Sequence, residues 1–116
     1  MFKVMTWPNT ITSYSDLINV HHRKFKPMLE LVKQISSTRY ASGIYPAISM
    51  TTLIISQAPS WEFKHEVLEI EYHPNEKQFV FTFWENPNTK PWVTHSTDKN
   101  AFQRFEHCML TKKWFA

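Results

Sequence analysis

The chain has 116 residues, 42% hydrophobic and 20% charged, which suits one domain spanning residues 1–116 with its own core and excludes a disordered chain. Thirteen Lys and Arg against ten Asp and Glu leave a formal charge of +3, a mild excess that falls short of a nucleic-acid signature. Gly43 is the single glycine and Cys108 the single cysteine, so phosphate-cradling loops, a dinucleotide fingerprint, a nucleophile elbow, an internal disulfide and a cysteine-based zinc site are all excluded.

At the N-terminus, Phe2, Val4 and Thr6 alternate with Lys3, Met5 and Trp7, the pattern of a short opening strand ended by Pro8 and Asn9. This stretch lacks an apolar h-region and a cleavage site, and no run reaches the ~18 apolar residues of a membrane span. With the lone thiol, that points to a cytoplasmic protein that does not enter a membrane.

Tyr14, Ile18, His21, Phe25, Met28, Val32 and Ile35 then follow at spacings of four and three, joined by Leu17 and Leu31. This is the stripe of an amphipathic helix, capped at Ser13 or Ser15 and fading by Ser36 to Thr38. Pro27 interrupts it, because proline removes the bond to the carbonyl of Arg23. The helix either kinks there or divides, with Pro27 in the first turn of the second piece; the unbroken stripe favours one long kinked helix.

Ile48 to Ile55 reads as one β-branched strand between Pro46 and Ala58-Pro59. Lys64 to Tyr72 and Gln78 to Glu85 alternate cleanly. Placing Leu68, Ile70 and Tyr72 on one face with Phe83, Phe81 and Phe79 sets the pairing and leaves Pro74 to Lys77 as a four-residue loop closed by His73 and Gln78. Trp92 to His95 can add a short strand. After Ser96 or Thr97 as cap, Ala101, Phe102, Phe105, Cys108 and Met109 form the buried stripe of a C-terminal helix. The fold class is α+β: an antiparallel sheet of three to five strands with a long kinked N-terminal helix and a C-terminal helix packed on the phenylalanine face.

The opposite hairpin face is the first candidate site. In this register Val67 lies across from Trp84, Glu69 from Thr82 and Glu71 from Val80, so a tryptophan shares a surface with carboxylates, as partner-binding patches do. Trp61 and Trp92, in Pro-containing loops, are further partner-binding candidates. The competing reading is an ordinary solvated face with Trp84 folded over Val67. His65, Glu69, Glu71 and His73 carry metal-binding groups, but eight residues of strand put the two histidines about 26 Å apart, and no metal or other cofactor is expected.

His21 lies in the apolar stripe, either as a satisfied core histidine or beside a pocket with Tyr14 and Tyr72. His22, Arg23, Lys24 and Lys26 could meet phosphates, or could form a solvated helix face with Lys26 paired to Glu30. Cys108 and His107 are adjacent on a helix, about 100° apart, and cannot act together as nucleophile and base. Aromatic residues make up 16% of the chain without a catalytic constellation. That favours a non-enzymatic macromolecule-binding protein of inhibitor, immunity or adaptor type, most simply with another protein as partner and with a homodimer allowed. The alternatives are a small-molecule binder or enzyme with a pocket between the first helix and the sheet, and a weakly basic nucleic-acid-associated protein.

Overall fold

The computed structural model describes residues 4–58, 66–86, 88–112 and 114. In chain order these form α1 (Trp7–Asn19), α2 (Lys26–Ser36), a 3-10 turn (Arg39–Ser42), β1 (Tyr45–Ser49), β2 (Thr52–Ser56), β3 (Val67–His73), β4 (Gln78–Trp84), β5 (Trp92–Thr97), a second 3-10 turn (Asp98–Asn100) and α3 (Ala101–Thr111). The five strands make one antiparallel sheet in the order β1-β2-β3-β4-β5. The buried apolar residues of all three helices join one core cluster with the inner face of that sheet.

The expected opening strand does not form among the described residues. Val4 to Thr6 lie outside the sheet, with Thr6 extended, and Trp7 begins α1. The Thr6 hydroxyl accepts from the Asn9 N–H at 3.1 Å and Pro8 follows in the first turn, so the helix starts well before Ser13. Trp7 is buried, and its indole N–H donates to the carbonyl of Ala41 at 3.2 Å.

In place of a single kinked helix there are two. α1 ends at Asn19; His22 takes a left-handed φ of 55°, and α2 restarts at Lys26 with Pro27 in its first turn. Proline explains the division, since a continuous helix would drive the Pro27 ring against the Arg23 carbonyl and lose a bond. The apolar stripe stays in phase across the gap: Tyr14 lies on one side, Phe25 and Met28 on the other, and all three are buried.

The expected strand from Ile48 to Ile55 is a hairpin, β1 turning into β2 through Met50 and Thr51, with Ser49 opposite Thr52. Met50 has φ 58° and is 94% exposed, an unusual conformation for a side chain without a local hydrogen bond to support it. The turn is held from α1, where the Tyr14 hydroxyl donates to the Thr51 carbonyl at 3.0 Å. Met50→Gly removes the steric cost of positive φ and little packing, so it should raise stability by about 0.5–1 kcal/mol. A urea titration reads this as a higher midpoint at unchanged slope; a lower midpoint would mean that the methionine is not strained.

The central hairpin has the expected register. Val67 pairs with Trp84, Glu69 with Thr82, Glu71 with Val80 and His73 with Gln78. Phe79, Phe81 and Phe83 are buried with Leu68, Ile70 and Tyr72 beneath the helices. β5 extends to Thr97, two residues beyond its expected end. Thr97 then precedes a 3-10 turn and not α3 itself, which begins at Ala101 with no side-chain cap bond. Its expected stripe is on the core: Ala101, Phe105, Cys108 and Met109 are buried and Phe102 packs against them.

Candidate functional site

Because successive strand residues point to opposite faces, the register also determines which side chains line the outer face. Ala47, Ile54, Glu69, Thr82 and Val93 form one row straight across the sheet. Val67 and Trp84 lie to one side of it, and Glu71, Val80 and His95 to the other. Ala47, Ile54 and Val67 form a small buried cluster of their own, separated from the main core by the sheet. Trp84, Thr82, Glu69, Glu71 and Val80 are half-buried, while Val93 and His95 are exposed.

The structure therefore brings Trp84, Val67, Glu69, Glu71 and Thr82 together as the alternation implied. Trp92 is not among them. It pairs with Phe83 and so lies on the inner face, half-buried against the core, with the Lys112 ammonium 5.0 Å above its ring and 4.8 Å above that of Phe83. Trp61 and His65 lie outside the described residues. Ala47, Ile54, Val93 and His95 belong to the face but escaped sequence reasoning. The alternation of Val93 and His95 with Trp92 and Thr94 was the available signal.

Electrostatically the centre of this face is unfavourable in isolation. Burial raises the Glu69 carboxyl above the usual range, and the charge of Glu71, two residues along the same strand, raises it further. The Trp84 indole N–H favours the carboxylate, yet its Nε1 is buried and completes no hydrogen bond of ordinary geometry. Among the described residues no Lys or Arg pairs with either glutamate, and Glu71 meets the His73 ring at 3.5 Å.

A pH dependence follows. The folded state holds the Glu69 proton more tightly than the unfolded chain does, so this group favours folding most at acid pH. Its contribution declines as pH rises from the ordinary glutamate range through the raised folded value. Glu69→Gln should therefore raise the urea midpoint at neutral pH and reduce the decline seen in the wild type. A lower midpoint at neutral pH would show that the carboxylate is stabilised where it stands.

The remaining candidates are dispersed. Tyr14 and Tyr72 are buried, their hydroxyls donating to the Thr51 carbonyl at 3.0 Å and to the Asp98 carboxylate at 3.2 Å. His21 is exposed in the turn after α1 and is not a core histidine, because the helix that would have turned it inward has ended. His22, Arg23, Lys24 and Lys26 are exposed around the same turn, and the Lys26–Glu30 ion pair does not form. Cys108 is fully buried, and burial pushes its thiol up to about 11, partly opposed by Arg104 and Lys112, which leaves it un-ionised and poorly nucleophilic. Among the described residues no three His, Cys, Asp or Glu side chains gather as a metal site, and no helix is long and apolar enough to cross a membrane.

Fold and surface together define an α+β domain whose described helices all pack on one face of a five-stranded antiparallel sheet. The chain matches no protein-family model, and neither a curated protein nor a solved structure is significantly similar to it.

Proposed function

We propose that the chain is a non-enzymatic binding protein, of the inhibitor, immunity or adaptor kind, that docks a partner protein on the outer sheet face around Trp84. The observation supporting this is a half-buried tryptophan beside the Glu69 carboxylate, with that of Glu71 two residues further along the same strand, and no Lys or Arg among the described residues neutralises either. A partner offering a Lys or Arg to Glu69 and Glu71 and an apolar side chain to Trp84 and Val93 would relieve the uncompensated charge and cover the ring. The buried, un-ionised thiol of Cys108 fits a reducing cytoplasmic setting.

The test is capture from the native host with three baits: the wild type, Trp84→Ala, and Leu110→Ser as a control on the exposed side of α3. The reading requires a protein retained by the wild type and the control but lost with Trp84→Ala. Equal retention by all three baits would remove the outer face as the docking surface.

A further inference from the structure

The two edges of the sheet are treated differently by the sequence. β1 carries Pro46, which has no N–H to offer, and the Pro46 carbonyl is already taken by the Met5 N–H at 2.8 Å. That edge is blunted in two of the ways by which sheet proteins avoid adding strands. β5, Trp92 to Thr97, has none of these protections. It contains no Pro, Gly, Lys, Arg, Asp or Glu, and it pairs along its whole length with β4; apart from Thr97, whose carbonyl opens the 3-10 turn that follows and accepts from the Ser96 hydroxyl at 3.2 Å, its backbone makes no hydrogen bond to an element beyond β4 among the described residues. Trp92 on its inner face remains half-buried, as does Phe102 on α3, the helix that packs against β5, while Val93 on its outer face is 48% exposed.

We propose that the free edge of β5 is where two copies of this chain pair, antiparallel, into one continuous sheet. A second copy suits this edge for three physical reasons. It brings a strand of equal length and twist with its own unused row of N–H and C=O groups. Neither strand carries a charged Lys, Arg, Asp or Glu that would repel its twin. A two-fold axis closes the assembly at two chains, so that no open edge remains on that side. The axis passes through Thr94 or through His95, because residues directly opposite each other must lie on the same face. In the first register Val93 faces His95 of the second copy; in the second, His95 faces its own equivalent. The helix layers then lie on one side of the joined sheet and both outer faces on the other. This inference is independent of the docking of a partner at Trp84.

Sedimentation of the full chain over two decades of concentration tests it, alongside the double variant V93K/H95K and the single variant Trp84→Ala. Both lysines are placed at exposed positions, and in either register they set like charges opposite one another. The wild type and Trp84→Ala should pass from one chain to two as concentration rises, while V93K/H95K stays at one chain and, at concentrations low enough for the wild type to be single, shares its urea midpoint. Amide exchange on the wild type gives a second reading that needs no variant: protection of the β5 amides should grow with concentration while that of β1 does not. The proposal is overturned by a wild type that stays single throughout, by a folded V93K/H95K that still pairs, by pairing abolished in Trp84→Ala, or by β5 protection that ignores concentration.

Discussion

Phe81→Ala should lower the stability of the folded chain by about 3–5 kcal/mol, a large share of the roughly 5–15 kcal/mol by which domains of this size are held. Phe81 sits in the middle of β4, fully buried between Ile70 on β3 and Thr94 on β5, with its ring centroid 6.3 Å from that of Phe79. Removing the ring loses its transfer free energy and leaves a void that a strand paired on both sides cannot close, which adds about 24 cal/mol for each Å³ of residual cavity. Phe81→Leu keeps most of the volume and should cost less than about 1.5 kcal/mol. Urea unfolding at constant slope measures both. A loss below about 1 kcal/mol for the alanine variant would mean that this ring is not part of a close-packed core.

Trp84→Ala should act on binding far more than on folding. Its ring is half-buried and its cross-strand neighbour is Val67, a pairing worth about 0.2–1 kcal/mol to the isolated chain. At the centre of a docked interface the same truncation should cost at least about 2 kcal/mol of affinity, close to a 30-fold weaker Kd. Calorimetric titration against the captured partner, with the urea midpoint measured beside it, separates the two effects. A variant that folds normally and binds as tightly as the wild type would place the contact elsewhere.

The central hairpin was legible because nothing local competes with its alternation. Leu68, Ile70 and Tyr72 oppose Phe83, Phe81 and Phe79 across a loop whose length the pattern itself sets. The first hairpin was not. Its turn, Met50-Thr51, contains none of the Gly, Asn, Asp or Pro residues that mark such turns, and its positive φ is maintained by Tyr14, a residue remote in sequence. With that turn unread, Ala47 and Ile54 could not be assigned to the outer face. The helix break was hidden for the opposite reason: Pro27 announced it, but the apolar stripe stays in phase on both sides of it, and His21 looked like part of the stripe while sitting in the gap. Trp92 was read with the Pro-containing loop that ends at Pro91, whereas it opens β5 opposite Phe83, and the alternation of the strand puts it on the inner face.

The lone thiol supplies a clock for the molecule. Cys108 is sealed within α3 and held un-ionised, so an alkylating reagent reaches it only when the helix layer lifts from the sheet. The labelling rate in native buffer therefore counts those openings without any engineered probe. A variant that loosens the core would show itself as faster labelling well before its melting curve changes shape.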